Sequence, residues 1–103
     1  MKLLVTGAGG MLGQTLSPYL AKRGHDVAAF GKEDLDITDG DLVERVVGEH
    51  RPDRIVHCAA YTQVDLAETE EEAAFAINEH GTENVARAAG MLNIPMLYVS
   101  TDY

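Results

Sequence analysis

The sequence has few groups that could form covalent cross-links or bind a polyanion. It contains one cysteine, no tryptophan, and 8 lysine or arginine residues against 17 aspartate or glutamate residues, which gives a formal net charge of -9. A single cysteine excludes an internal disulfide, so we expect a reducing, cytoplasmic location with Cys58 packed as a small apolar side chain. The acidic balance argues against nucleic-acid backbones and anionic membranes as partners.

Long apolar runs and targeting signals are also missing. No stretch approaches the roughly 18 apolar residues of a membrane span, and the short apolar run after Lys2 ends in glycines, unlike a secretory signal peptide. Apolar residues make up 46% and charged residues 24% of the chain, which is ordinary for a soluble globular protein. We therefore expect one domain over residues 1–103, incomplete at its C-terminus.

Short apolar runs alternate with helical patterns, which is typical of βαβ units and a parallel sheet. The predicted strands are Lys2–Thr6, Asp26–Phe30, Leu35–Ile37, Arg54–Ala60 and Met96–Ser100. Apolar residues at helical spacing predict three helices between these strands, with stops near Gly24, Pro52 and Pro95. The second helix is expected to begin in the capping-box-like segment TDGD (residues 38–41), and the third at Thr69 with Glu72. The fold class is therefore α/β, with a doubly wound, Rossmann-like parallel sheet.

A glycine-rich turn follows the first predicted strand, in the segment LLVTGAGGMLG (residues 3–13). The glycines have the spacing Gly7-x-x-Gly10-x-x-Gly13, and Ala8 sets them apart from the commoner G-x-G-x-x-G fingerprint. Between a strand and a helix, such a loop binds a pyrophosphate at the helix N-terminus. Gly7 would permit the tight turn, Gly10 would let the backbone approach the phosphates, and Gly13 would allow close packing of helix and strand. The alternative is a purely structural turn.

The end of the second strand bears on the choice between NAD and NADP. A carboxylate there would bind both ribose hydroxyls of NAD. This sequence has Phe30, Gly31 and Lys32 at that end, and acidic residues follow only at Glu33 and Asp34. Lys32 could bind a 2′-phosphate, which favours NADP over NAD. The alternative is that Lys32 and Glu33 are solvated loop charges.

Five sequence blocks resemble the extended short-chain dehydrogenase/reductases in their order and intervals. They are TGAGGMLG, DLDITD, HCAAYTQVDLAE, INEHGTENVA and YVSTDY, and together they cover essentially the whole chain. Within that family they are most similar to reductases of 4-keto sugar nucleotides. The resemblance implies the strand order 3-2-1-4-5, an NAD or NADP cofactor, and a small nucleotide-sugar substrate.

The resemblance also assigns roles to residues of a cofactor site. The pyrophosphate is expected to contact Gly7, Gly10, Met11 and Leu12. The adenine is expected to contact Asp36 and Ile37. After the fourth strand, the residues expected along the cofactor are Ala59, Ala60, Tyr61 and Thr62. The Asp36 carboxylate would accept a hydrogen bond from the adenine amine, and the backbone N–H of Ile37 would donate to the ring. The alternative for Asp36 is a turn cap.

Thr101 matches the hydroxyl residue of the family's Ser/Thr–Tyr–Lys catalytic group. It would hydrogen-bond the substrate carbonyl oxygen as negative charge develops there. Asp102 and Tyr103 match positions near the sugar nucleotide. Asn78 matches an asparagine that supports the active site, or is a polar group satisfied by a neighbouring carbonyl. The family's Tyr-x-x-x-Lys pair does not occur in residues 1–103. We therefore expect this chain to be the cofactor-binding half of an enzyme and to be inactive alone. The full-length enzyme could form a homodimer.

Two other functions remain open from the sequence. The same resemblance extends to the non-catalytic regulatory subunit of methionine adenosyltransferase, which would bind a nucleotide without catalysis. It also extends to sugar-nucleotide epimerases and dehydratases, which usually differ around STDY. The histidines have no metal-ligand spacing, so we expect no metal site and treat four residues as structural or surface groups: His25, His50, His57 and His80.

Overall fold

The computed structural model describes residues 1–58 and 79–99. These residues form a parallel sheet of four strands, β1 (Lys2–Thr6), β2 (Asp26–Phe30), β3 (Arg54–Cys58) and β4 (Met96–Val99), in the order β2-β1-β3-β4. The helices are α1 (Met11–Lys22), α2 (Gly40–His50) and, within the described part, α3 over residues 79–92. None of these helices has the length and hydropathy of a membrane-spanning segment.

The two central strands are buried along nearly their whole length. Residues 3–6 of β1 and residues 55–58 of β3 are all buried, as expected for parallel strands covered on both faces. The register aligns Thr6 with Phe30 on one side and with His57 on the other. The carboxyl ends of β1, β2 and β3 therefore lie together at one edge of the sheet.

Helices cover both faces of the sheet. Successive strand residues point to opposite faces, so the adjacent residues Leu4 and Val5 belong to different cores. Val5 packs in a core that includes Leu12 and Leu16 of α1, which we call the α1 core. Leu4 packs in the other core, with apolar residues of α2 and α3. Cys58 is 3% exposed in the α1 core, which confirms that it packs as a small apolar side chain. The doubly wound α/β fold is confirmed.

The predicted strand at Leu35–Ile37 is wrong. These residues lie in the loop between β2 and α2 and belong to no strand. Leu35 is only 3% exposed and packs in the core shared with α2 and α3, so its apolar character reflects burial in a loop. Directly after it, Asp36 Oδ1 accepts hydrogen bonds from the backbone N–H and the hydroxyl of Thr38, which turns the chain. The other four predicted strands keep their predicted order.

The helix boundaries agree with the capping signals. Within the predicted segment TDGD, Asp39 is the N-cap of α2 and accepts a hydrogen bond from the Leu42 N–H at 3.2 Å. The helix ends at His50, and Arg51 is left-handed (φ 46) directly before Pro52. Gly24 has φ 92 just after α1, as predicted for a helix stop. Thr69, Glu72 and residues 59, 60 and 100 lie outside the described residues.

Candidate functional site

The candidate site lies where the loops after β1 and β2 meet, at the carboxyl edge of the sheet. The backbone N–H of Ala8 donates to the carbonyl of Phe30 at 3.0 Å, which ties the glycine loop to the end of β2. A Cβ added to Gly9 would lie 4.0 Å from the Cα of Gly31, so the two loops approach closely. Ligands of open α/β sheets bind at this edge of the strands.

The glycine loop owes its shape to Gly7 and Gly13. Gly7 has φ 68, and an added Cβ there would overlap the carbonyl oxygen of Cys58. At Gly13 an added Cβ would lie 2.6 Å from the Cα of Ala8, inside any normal contact distance. The tight turn predicted at Gly7 is confirmed. Gly13 is closely packed, as predicted, but its neighbours are the backbone atoms of Gly7 and Ala8 in the loop.

The N-terminus of α1 has two features of an anion-binding helix end. Gly10 is its N-cap, no side chain caps the helix, and the first turn contains no acidic residue. The backbone N–H groups of residues 11–13 have no acceptor within the helix, because that turn has no preceding one. By contrast, α2 carries Asp39 at its N-cap and Asp41 in its first turn. Of these two helices, only α1 combines free N–H donors with partial positive charge that no acid offsets.

The loop after β2 brings Lys32 and Asp36 together. It is closed at its start by Gly31, whose N–H donates to Asp34 Oδ2 at 3.0 Å. The hydroxyl of Thr38 donates to Asp36 Oδ1 at 2.6 Å and is the main reason that the pKa of the Asp36 carboxyl lies below 3.8. The Thr38 N–H and the nearby Lys32 ammonium lower this pKa further. Asp36 is therefore an exposed carboxylate that also caps a turn.

A buried polar cluster lies between the carboxyl ends of β1 and β3 and helix α3. His57 is 0% exposed, and its Nδ1 is hydrogen-bonded to the Thr6 hydroxyl. Its Nε2 is hydrogen-bonded to the Thr82 hydroxyl of α3 at 2.9 Å, and its ring stacks on Tyr98. Burial lowers the pKa of His57 from 6.5 to about 4, so the imidazole is neutral at neutral pH. These hydrogen bonds connect the end of β1 to α3. One indication of this cluster was present in the sequence, a histidine within a strand that was expected to be buried.

The comparisons with known proteins agree with this geometry. A family model described as the RmlD substrate binding domain matches residues 1–103. The chain belongs to this family. It is 50% identical to a dTDP-4-dehydrorhamnose reductase from Streptomyces griseus, an alignment that covers 97% of this chain and 33% of that relative. The chain thus spans about a third of the length of such relatives.

Two solved structures similar to this RmlD-family chain contain nucleotide cofactors. A dTDP-4-dehydrorhamnose reductase from Bacillus anthracis in complex with NADP has a TM-score of 0.86 and 45% identity, over 99% of this chain and 37% of that chain. A UDP-glucose 4-epimerase from Thermus thermophilus in complex with NAD has a TM-score of 0.78 and 28% identity, over 91% of this chain and 35% of that chain. The predicted resemblance to reductases of 4-keto sugar nucleotides is confirmed by the relatives named dTDP-4-dehydrorhamnose reductase.

The site residues predicted from the sequence and from the resemblance divide into two groups. The glycine loop and the loop after β2, which carries Lys32, Asp36 and Ile37, lie at the same sheet edge. The Leu12 side chain is partly buried against the core that contains Val5, which leaves its backbone as the group suited to contact a pyrophosphate. The remaining residues lie outside the described part of the chain, and their roles stay predictions: Ala59, Ala60, Tyr61, Thr62, Asn78, Thr101, Asp102 and Tyr103.

Proposed function

We propose that this chain is the dinucleotide-binding part of an NADPH- or NADH-dependent reductase of a 4-keto sugar nucleotide, of the dTDP-4-dehydrorhamnose reductase type. The observation that carries the proposal is the junction of β1 and α1, where a glycine turn meets an uncapped helix N-terminus. The NADP complex of the relative from Bacillus anthracis, 45% identical to this chain, supports NADP as the cofactor.

The pyrophosphate would lie against the backbone of residues 7–13, and Lys32 would face the 2′-phosphate of NADP. Asp36 and the N–H of Ile37 would contact the adenine. The bound cofactor would supply the hydride. The chain's own contribution is to hold the two phosphates with N–H donors, which offset the repulsion expected from its net charge of -9.

At the substrate, the Thr101 hydroxyl would donate a hydrogen bond to the carbonyl oxygen, where negative charge would develop during reduction. Asp102 and Tyr103 would lie near the sugar nucleotide, and Ala59, Ala60, Tyr61 and Thr62 along the cofactor. The relatives named as dTDP-4-dehydrorhamnose reductases reach 50% identity, against 28% for the epimerase structure. This difference favours a reductase over an epimerase.

We expect Gly10→Val to weaken NADPH binding at least about tenfold, because the added isopropyl group would occupy the space of the pyrophosphate. Gly10 has φ -77 and ψ 171, an extended conformation that valine adopts without strain. Valine is a poorer N-cap than glycine, so the thermal midpoint of unfolding should fall by several degrees while the chain stays folded. Titration calorimetry on the wild-type chain and the variant measures the effect. Equal affinity in two folded proteins would contradict a pyrophosphate site at this loop.

We expect Lys32→Ala to weaken NADPH binding severalfold and leave NADH binding nearly unchanged, because only NADPH carries the 2′-phosphate. The loss should shrink at high salt, since exposed charges are screened over about 8 Å at physiological ionic strength. Lys22→Ala, which removes an exposed charge in the last turn of α1, is the matched control. A similar loss for both cofactors would show that Lys32 does not distinguish them.

A further inference from the structure

Helix α3 holds the loop that carries Asp36 and Ile37. Asn84 of α3 is only 2% exposed, and its Nδ2 donates a hydrogen bond to the backbone carbonyl of Ile37 at 2.8 Å. The two residues are 47 positions apart in sequence. A buried amide keeps such a bond because it has no water to replace it.

Two glycines allow this contact to be close. Gly81, almost one helical turn before Asn84, lies under the side chain of Ile37, where an added Cβ would be 2.5 Å from Ile37 Cγ1. Gly40, the first residue of α2, faces the other end of the amide, and its added Cβ would be 3.1 Å from Asn84 Oδ1. Ile37 is therefore held at both its carbonyl and its side chain.

The peptide group between Ile37 and Thr38 is fixed from both ends. Asn84 donates to its carbonyl oxygen, and its N–H donates to Asp36 Oδ1 at 3.0 Å. The Asn84 amide and the Asp36 carboxylate therefore bind opposite ends of the same peptide group. Loss of the amide donor would let this peptide rotate, which would weaken the bond from the Thr38 N–H and leave the carboxylate held by the Thr38 hydroxyl alone.

We infer that Asn84, together with Gly81, is a positioning element that aims Asp36 and the N–H of Ile37 at the adenine ring of the cofactor. The inference rests on the proposed function, since it needs an adenine dinucleotide at this edge of the sheet. Asn84 touches neither substrate nor cofactor in this scheme. Its effect on binding should therefore depend on whether the ligand presents the adenine groups that Asp36 and Ile37 would contact.

NADPH and its hypoxanthine analogue separate positioning from general stability. In the analogue, an oxygen replaces the exocyclic amine and the adjacent ring nitrogen carries a proton, so both proposed contacts are lost. The wild-type chain should bind NADPH more tightly than the analogue. Asn84→Asp keeps the side-chain shape, and at a pH high enough to ionise the new carboxyl it has no donor, so it should reduce this preference at least about fivefold. Gly81→Ala, which displaces Ile37 while keeping Asn84, should do the same.

Gly90→Ala is the matched control on α3, because an added Cβ there meets no atom within 4 Å. It should leave the preference unchanged. Calorimetric titrations of all four proteins, after a thermal melt shows each to be folded, give the result. If Asn84→Asp does not fold, Gly81→Ala alone decides.

Equal weakening of both ligands, no weakening of either, or a wild-type chain without a preference would overturn the positioning role while leaving dinucleotide binding intact. A wild-type chain that binds neither ligand would overturn the proposed function and this inference with it.

Discussion

Gly7→Ala is expected to destabilise the folded chain by about 2–5 kcal/mol, the sum of two effects. The left-handed conformation at φ 68 costs a residue with a Cβ about 1–2 kcal/mol. The Cβ would also overlap the carbonyl oxygen of Cys58, and forced overpacking of this kind typically costs about 1–3 kcal/mol. Because that oxygen is backbone of a buried strand, it cannot move aside as a flexible side chain would. Urea unfolding followed by circular dichroism measures the change.

Two other glycines separate these effects. Gly24 has φ 92, but an added Cβ would meet no atom within 4 Å, so Gly24→Ala should show the conformational cost alone. Gly48 lies inside α2 without positive φ and with the same open space, so Gly48→Ala should be neutral or stabilising by about 0.5–1 kcal/mol. If Gly7→Ala proved no worse than Gly24→Ala, the contact with Cys58 would have no energetic importance.

The stability of the chain should fall between neutral and mildly acidic pH because of His57. In the unfolded chain His57 binds a proton as the pH falls through about 6.5, whereas in the folded protein it does so only near 4. Over this window the unfolded state binds more protons, so acid favours unfolding. The contribution of His57 is complete above about pH 6.5, and about 2 kcal/mol of it should be lost between pH 7 and pH 5.

His57→Gln removes the titrating group but keeps a hydrogen-bond donor and an acceptor between Thr6 and Thr82. The variant should be less stable at pH 7 and should lose less stability on acidification to pH 5. Other groups that titrate in this window contribute similarly to both proteins, so the difference in slope isolates His57. Parallel pH profiles for the two proteins would show that the folded state does not resist protonation of this ring.

Strand bounds and helix starts could be predicted from the sequence where neighbouring residues determine them. β1 and β2 have the predicted bounds because an apolar run between turn residues is typical of a strand, and α2 begins where Asp39 can cap it. Leu35 misled the prediction, since a buried loop residue has the same hydrophobicity as a strand residue. Nothing in the local pattern separates the two cases.

The polar contacts could not be predicted in the same way. His57 and Asn84 find their partners 51 and 47 residues away, so only the folded topology brings these groups together. A polar residue among the apolar positions of α3 was the available signal at Asn84, since Val85 and Ala88 beside it are buried. That signal predicts burial but names no partner.

The position of β1 between two later strands has a consequence for synthesis of the chain. β1 is translated before both of its neighbours, and its register needs residues 26–30 on one side and residues 54–57 on the other. At roughly 5–20 residues per second, several seconds pass before β3 has left the ribosome. During that interval the nascent chain exposes Leu3, Leu4 and Val5 without their second partner strand. The sheet therefore cannot complete its pairing on β1 until residues 54–57 are available, however early the first strand is made.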